Sequence, residues 1–364
     1  MNITLVAGAR PNFIKIAPII EAINKKQQEG CSINYRLVHT GQHYDNNLSG
    51  TFFEELNIPL PHVNLGVGSG TQAEQTANIM IGFEKELQEN PCDLVLVVGD
   101  VTSTMACAIV AKKAHIKVAH VEAGIRSGDL TMPEEINRIV TDSLTDYFFT
   151  TSEYANDNLR RLGVEDHNIF FVGNVMIDTL RKHEGQFKKP VLWDDLNLKG
   201  KNYLIMTLHR PNNVDEEQTL KNLVQQIVNL SKGKPVIFPV HPRTQKLLYA
   251  LDLNFENLHY MNPLSYLEFN YLVKHALAVI TDSGGITEET TILNVPCITL
   301  RDTTERPETC VVGTNVLVGN DPKKIEKAFH NLFSGSWQQG AIPKLWDGQS
   351  AKRIIDHLIT VFKL

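Results

Sequence analysis

The strongest chemical signal in this sequence is a turn of small residues between an apolar run and a helical pattern. Ala276–Thr281 is typical of a buried strand, and Ser283, Gly284 and Gly285 follow it before a helix begins. Serine and glycine at a helix N-terminus leave backbone amides that can bind a diphosphate. Glu289 lies one helical turn further on, where a carboxylate can hold the hydroxyls of a ribose. The segment therefore predicts a pocket for a diphosphate and a ribose.

Three carboxylates stand at or just beyond strand ends in the first half of the chain. Asp100 follows the run Asp93–Val98, Glu122 follows Lys117–Val121, and Glu134 lies in the first turn of a helix. Carboxylates that converge on one cleft raise one another's pKa and can transfer protons. Simpler explanations exist, because aspartate often caps a helix and glutamate in a first turn favours the helix dipole. The strand-end positions favour a proton-transfer site.

The remaining candidates are basic residues that also follow strands. Each is suited to bind phosphate or sugar, although a surface cation or a structural histidine would explain any one of them alone. The set is Arg10, Lys15, His209, His241 and Arg306. The turn at Gly8 has neither the GxGxxG spacing nor a Walker loop, so the sequence predicts neither a nicotinamide cofactor nor ATP hydrolysis.

Short strands alternate with helices along the whole chain and must position these clusters. Such alternation predicts an α/β protein whose parallel strands form doubly wound sheets through right-handed crossovers. Ligands of these sheets bind beyond the carboxyl ends of the strands, where the clusters stand. The pattern weakens over residues 182–201 and then restarts. We therefore predict two Rossmann-like domains, residues 1–170 and residues 171–349.

Composition limits the possible functions. A chain of 364 residues has room for two domains, and a net charge of −6 gives no support to nucleic-acid binding. The 5 cysteines form no CxxC pair, so neither a disulfide framework nor a zinc site is predicted. The first apolar run is short and lacks a basic leader, and no stretch reaches the ~20 apolar residues of a membrane span. We expect a cytoplasmic protein without membrane contact.

The motifs together resemble one known family, the non-hydrolysing UDP-N-acetylglucosamine 2-epimerases. The resemblance covers nearly the whole chain, in the order GARPNFIK, VGDVTST, HVEAGIRSGD, MPEEINR, LHRPNNVD, PVHPR, TDSGGITEE and RDTTERPE. It implies the GT-B fold, with two Rossmann-like domains facing across a cleft and the final helix, residues 350–364, packing back on the first domain. It also implies a homodimer that needs no metal or redox cofactor.

The reaction implied by this resemblance is an elimination followed by re-addition. A base removes the proton from the carbon that bears the acetamido group while UDP leaves, and 2-acetamidoglucal forms. UDP then returns with protonation on the opposite face, which gives UDP-N-acetylmannosamine for surface polysaccharide.

The resemblance assigns roles residue by residue. The catalytic candidates are Asp100, Glu122, Glu134 and His209. The substrate-binding candidates are Arg10, Lys15, His241, Ser283, Gly284, Gly285, Glu289 and Arg306. Pro211 stands where members activated by their own substrate carry an arginine, so we expect no such activation here.

Several alternatives remain open. A relative with the same scaffold could epimerise UDP-diacetamido-glucuronate or UDP-N-acetylfucosamine, and a hydrolysing epimerase would release free N-acetylmannosamine. A glycosyltransferase shares the fold but would need an acceptor groove. A nucleotide-sugar-binding regulator would not need Asp100, Glu122, Glu134 and His209 together.

Overall fold

The computed structural model describes residues 1–41, 53, 55–240, 244, 246, 248, 250–251 and 253–364. The chain divides into two compact units, Met1–Lys182 with Lys344–Leu364, and His183–Pro343. The predicted division after residue 170 falls before the helix Val175–His183. This helix is tied to the first unit, because the Thr179 hydroxyl donates to the carbonyl oxygen of Ile14 at 2.7 Å.

The described strands of the first unit form one parallel sheet. They are β1 (Asn2–Ala7), β2 (Asn34–His39), β3 (Val63–Asn64), β4 (Leu94–Val98), β5 (Lys117–Val121), β6 (Tyr147–Thr150) and β7 (Ile169–Phe171). The order across the sheet is β3-β2-β1-β4-β5-β6-β7. Every residue of β4 is buried, as its uninterrupted apolar run predicts.

Helices cover the first sheet. They are α1 (Arg10–Gln28), α2 (Gln72–Glu89), α3 (Thr102–Lys113), α4 (Pro133–Leu144), α5 (Glu153–Arg161) and α6 (Val175–His183). Local chemistry explains where several of them begin. Thr71 and Glu74 form a capping box at the start of α2, Ser152 caps α5, and Pro133 opens α4.

The second unit repeats the architecture. Its described strands are β8 (Leu204–Thr207), β9 (Val236–Pro239), β10 (Leu258–Met261), β11 (Ala278–Thr281), β12 (Cys297–Thr299) and β13 (Asn315–Leu317). They are parallel, in the order β10-β9-β8-β11-β12-β13. In both sheets the order reverses beside the first strand, which is the Rossmann arrangement. The two sheets confirm the predicted doubly wound fold.

The described helices of the second unit are α7 (Leu192–Asp195), α8 (Pro211–Val214), α9 (Glu217–Leu230), α10 (Tyr266–His275), α11 (Gly284–Ile292), α12 (Pro307–Val311) and α13 (Pro322–Ser334). Alternate residues of the central strands β8, β9 and β11 belong to separate apolar clusters. Leu204 and Met206 of β8 join one cluster, and Tyr203 and Ile205 join the other. The sheet is therefore buried on both faces.

The last helix, α14 (Ser350–Phe362), lies in the first unit and contacts α1. Asp178 of α6 caps it, because the amides of Ser350 and Ala351 donate to its carboxylate at 3.0 and 2.7 Å. Across the described ranges, each helix is either too short or too polar to span a bilayer.

Candidate active site

Both sheets place their candidate residues beyond the carboxyl ends of strands beside the point where the strand order reverses. In the first sheet these are the turns after β1, β4 and β5, and in the second the turns after β8 and β11. Crevices at such points are the usual ligand sites of open α/β sheets.

Asp100 follows β4 and is held in place by an arginine. Arg138 of α4 donates to the same oxygen, Asp100 Oδ2, from Nε at 3.0 Å and from Nη2 at 2.8 Å. The Asp100 side chain is 35% exposed, whereas Arg138 is 3% exposed. The guanidinium therefore fixes the carboxylate from the protein side and leaves it accessible to solvent.

Glu122 follows β5 and pairs with a lysine of the first helix. Lys15 Nζ lies 2.8 Å from Glu122 Oε2, and Glu122 is only 4% exposed. Its φ of +75° lies in the left-handed region that a glutamate rarely adopts. The amides of Glu122 and Ala123 both donate to the carbonyl oxygen of Phe149, at 2.9 and 3.1 Å, and hold this unusual turn.

The structure brings this lysine–glutamate pair against the turn that carries Asp100. Gly99 has a φ of +68°, and a methyl group added there would lie 3.0 Å from Lys15 Nζ and 3.9 Å from Glu122 Oε2. Glycine is required because of both its conformation and the close approach of these polar atoms. Asp100, Glu122 and Lys15 therefore form one polar cluster.

Glu134 occupies a different environment. Its side chain is exposed at the first turn of α4, whereas the neighbouring Glu135 is buried. Glu135 accepts the amides of Ser127 and Gly128, each at 3.0 Å, and pairs with Arg138. Within the described residues Glu135 thus organises the protein side of the cluster, and Glu134 points to solvent. Arg10 is partly buried at the start of α1.

His209 begins the polar segment after β8 and is oriented by a buried aspartate. Its Nδ1 lies 2.7 Å from Asp282 Oδ1, and its side chain is 50% exposed while Asp282 is fully buried. Asp282 also accepts the amides of His209 and Arg210 at 3.0 and 2.9 Å. Burial raises the pKa of Asp282, but the hydrogen bond and charge of His209 outweigh it, so the pKa lies below its usual value.

Ser283, Gly284 and Gly285 form the predicted helix start. Ser283 is the N-cap of α11, and its amide donates to Thr281 Oγ1 at 3.0 Å. A methyl group added at Gly284 would lie 3.6 Å from Arg301 Nη1 and 4.0 Å from Glu305 Oε2, and these two side chains form an ion pair at 2.7 Å. The helix N-terminus and the guanidinium can bind an anion on this face, beside the carboxylate that holds Arg301.

The remaining candidates are less accessible. Glu289 is buried on α11 next to Tyr266, whose pKa is raised well above its usual value, first by burial and then by the charge of Glu289. Arg306 is 6% exposed and forms an ion pair with Glu288. His241 lies outside the described residues.

Sequence reasoning passed over four residues that organise these sites. They are His120, Arg138, Asp142 and Asp282. One signal was present, because a histidine inside the apolar strand Lys117–Val121 needs buried hydrogen-bond partners. Among the described residues, no group of three or more His, Cys, Asp or Glu side chains could hold a metal ion.

The two sites suit different chemistry. The first unit offers carboxylates fixed by cations, which can exchange protons with a ligand. The second offers a helix N-terminus with an arginine and an exposed histidine, which can bind and stabilise a negatively charged group.

Comparison with known proteins identifies the family. The model of the family described as UDP-N-acetylglucosamine 2-epimerase matches residues 25–359. A UDP-N-acetylglucosamine 2-epimerase of Methanocaldococcus jannaschii is 43% identical, over 98% of this chain and 98% of its own length. A UDP-2,3-diacetamido-2,3-dideoxy-D-glucuronate 2-epimerase of Pseudomonas aeruginosa is 36% identical, over 98% and 99% of the two chains.

A solved structure is similar along the whole chain. The crystal structure of Methanocaldococcus jannaschii UDP-GlcNAc 2-epimerase in complex with UDP-GlcNAc and UDP has a TM-score of 0.88 to this protein, at 42% identity. The match covers 99% of this chain and 100% of that one. By family model, relatives and fold, the chain belongs to the UDP-N-acetylglucosamine 2-epimerase family.

Proposed function

We propose that this protein is an isomerase that interconverts UDP-N-acetylglucosamine and UDP-N-acetylmannosamine by eliminating UDP and adding it back. The observation that carries the proposal is the full-length similarity to a relative of that name at 43% identity. The two polar sites supply the groups that such a reaction needs.

The second unit stabilises the leaving UDP. No carbonyl adjoins the carbon that loses its proton, so departure of UDP runs ahead of proton removal and positive charge develops on the sugar. The start of α11 and Arg301 face one another at Gly284 and receive the negative diphosphate. His209, held by Asp282 through Nδ1, presents Nε2 to the same group.

The first unit handles the proton. Inversion requires that the proton is removed from one face of the sugar and returned to the other face, so at least two groups that carry protons are needed. Asp100 accepts two hydrogen bonds from Arg138, and Glu122 is paired with Lys15 at 2.8 Å. Their negative charges also stabilise the positive charge that develops on the sugar. Glu134 and Arg10 belong to the proposal through the family resemblance.

Proton NMR in heavy water tests the proposal directly. The purified protein should introduce deuterium at the acetamido-bearing carbon of UDP-N-acetylglucosamine while UDP-N-acetylmannosamine appears. Release of free N-acetylmannosamine with UDP would assign the hydrolysing reaction instead. No exchange and no new sugar would contradict the proposal.

A second substrate is supported by the Pseudomonas aeruginosa relative, which is named for a diacetamido-glucuronate sugar and is 36% identical. The same NMR experiment with UDP-2,3-diacetamido-glucuronate separates the two. Faster deuterium incorporation into that sugar would assign it as the substrate.

The proposal includes a homodimer that acts in the cytoplasm and supplies precursor for a surface polysaccharide, as the family resemblance implies. Light scattering of the purified protein tests the assembly. A mass of twice the 40.9 kDa chain is expected, and a monomer would contradict the dimer.

A further inference from the structure

A buried histidine–aspartate pair lies behind the carboxylates of the first unit. We propose that Asp142 is a positioning residue, which sets the placement of Asp100 through His120 and the placement of Glu122 through both His120 and the amide of Gly124. The kinetic part of this proposal rests on the proposed function, whereas its hydrogen bonding does not.

The pair spans β5 and α4 inside the first unit. His120 of β5 is 0% exposed, and its Nδ1 lies 2.7 Å from Asp142 Oδ1. Its Nε2 lies 2.8 Å from the carbonyl oxygen of Gly99. The ring therefore bridges α4 to the residue that immediately precedes Asp100.

The hydrogen-bond partners of the ring fix its orientation. The carbonyl oxygen of Gly99 can only accept, so Nε2 donates to it. Burial raises the pKa of Asp142, but the hydrogen bond and charge of His120 and the nearby Arg126 outweigh it, so the pKa lies below its usual value. Asp142 Oδ2 also lies 2.7 Å from Arg126 Nη1, so one carboxylate holds both the ring of His120 and the guanidinium of Arg126.

The first consequence concerns Asp100. Gly99 is fixed on both sides, because its amide donates to the carbonyl oxygen of Val121 at 3.0 Å and its own carbonyl accepts from His120. Its φ is +68°, a conformation in which a residue with a side chain would be strained. The direction in which the chain reaches Asp100 is therefore set by the ring of His120.

The second consequence concerns Glu122. Asp142 Oδ2 accepts the amide of Gly124 at 3.0 Å, so one carboxylate holds the residues two before and two after Glu122. Gly124 also has a positive φ, of +78°, and a methyl group there would collide with the carbonyl oxygen of Ala155. The unusual backbone of Glu122 is thus clamped at both ends by Asp142.

Substituting Asp142→Asn tests this role in the full-length protein. Asparagine keeps the size of the side chain but removes the negative charge that lies between His120 Nδ1 and Arg126 Nη1. A displacement of about 1 Å in a reacting group can cost about 10²-fold in rate. We expect kcat for the UDP-sugar to fall about 10–100-fold, with KM and the affinity for UDP changed less than about 2-fold.

Asp146→Asn is the matched control. Asp146 also accepts a backbone amide, that of Val118 at 2.9 Å, and pairs with Lys112 and Lys117. These contacts involve neither Gly99 nor Gly124. We expect kcat of this variant to stay within about 2-fold of the unsubstituted protein. Equal losses of kcat in the two variants would overturn the proposal.

Nitrogen-15 NMR of histidine-labelled protein tests the pair without any turnover. His120, identified by the loss of its signals in His120→Gln, should carry a proton on Nε2, because that nitrogen donates to the carbonyl oxygen of Gly99. In Asp142→Asn the Nε2 proton should remain, whereas the Nδ1 signal should shift because its partner has changed. A His120 without an Nε2 proton in the unsubstituted protein would overturn the proposal, even if Asp142→Asn fails to fold. Absence of turnover in the unsubstituted protein would instead count against the proposed function.

Discussion

Each unit of this molecule contains a histidine–aspartate pair, and the two pairs are used differently. In both, the histidine Nδ1 lies 2.7 Å from an oxygen of a buried aspartate that also accepts backbone amides. His120 is fully buried with Nε2 on the carbonyl of Gly99, whereas His209 is 50% exposed. The burial of the second nitrogen therefore decides whether the pair organises the backbone or serves a ligand.

In the proposed reaction the first unit transfers protons and the second unit binds UDP. Replacement of Asp100 tests this assignment of roles most strongly. In Asp100→Asn we expect kcat to fall about 10³-fold, since proton transfer by a placed side chain contributes about 10²–10⁴-fold. The affinity for UDP, measured by calorimetry, should change less than about 2-fold, because the residues that are proposed to bind UDP belong to the second unit.

Loss of UDP binding in Asp100→Asn would contradict this division. It would show that Asp100 supports the fold, for example by ending β4, rather than the chemistry. The far-UV circular dichroism of the variant separates misfolding from a local change.

The second prediction addresses the exposed histidine. His209→Gln should lower kcat about 10²-fold, because it removes the imidazole that is proposed to face the leaving UDP. Asp282→Asn should have a smaller effect, about 10-fold, since the ring remains but loses the carboxylate 2.7 Å from Nδ1. Steady-state kinetics of both variants measures the ratio, and an Asp282 variant less active than the His209 variant would contradict the assigned order.

The third prediction concerns Asp178, a buried aspartate that accepts hydrogen bonds from the amides of Ser350 and Ala351. Burial raises its pKa from 3.8 to about 6, despite these amides. Between pH 4 and pH 6 the unfolded chain loses this proton while the folded chain keeps it, so stability falls as pH rises. Relative to Asp178→Asn, the unsubstituted protein should lose about 2 kcal/mol of unfolding free energy between pH 4 and pH 7.

Urea denaturation at several pH values measures this difference. Asp146→Asn provides a control of opposite sign. Burial raises the pKa of Asp146, but the amide of Val118 and the lysines outweigh it, so the pKa lies below its usual value. Its stabilising contribution should be present above pH 4 and be lost as the pH falls. The same sign in both variants would contradict the assigned environments.

The smallest predicted effect concerns the helix start. A methyl group at Gly284 would make only ordinary contacts, 3.6 Å from Arg301 Nη1, so the fold should be retained. It would stand on the face offered to the diphosphate, and Gly284→Ala should weaken UDP binding about 10-fold, or about 1.4 kcal/mol. Gly200→Ala is the control, because nothing lies within 4 Å of an added methyl group there. Equal UDP affinity in both variants would remove α11 from the proposed site.

Much of the fold could be predicted because strands buried on both faces are unbroken apolar runs. The bounds of β5 agree with the predicted Lys117–Val121, and α14 (Ser350–Phe362) lies within the predicted final helix, residues 350–364. The sequence pattern did not indicate α2 (Gln72–Glu89), whose surface is mostly polar and whose buried residues are few. Its start is nevertheless encoded locally in the capping box of Thr71 and Glu74.

The positions of candidate site residues could be predicted more readily than their partners. Strand ends are local features, but Arg138 reaches Asp100 from α4, and its direction depends on how that helix is rotated. Successive residues of a helix point about 100° apart, so Glu135 is buried while Glu134 is exposed. Likewise the ion pair of Arg306 with Glu288 depends on the packing of two segments of the second unit.

The cap that Asp178 provides for α14 has a consequence for synthesis of the chain. The first unit is made of the two ends of the sequence, and the second lies between them as a continuous insert, His183–Pro343. Domains usually complete their folding in order of emergence from the ribosome. Here the first unit begins to be synthesised before the second, but its folding is complete only when Ser350 and Ala351 have been added and contact Asp178. The inserted unit can therefore complete its folding before the unit that flanks it in the sequence.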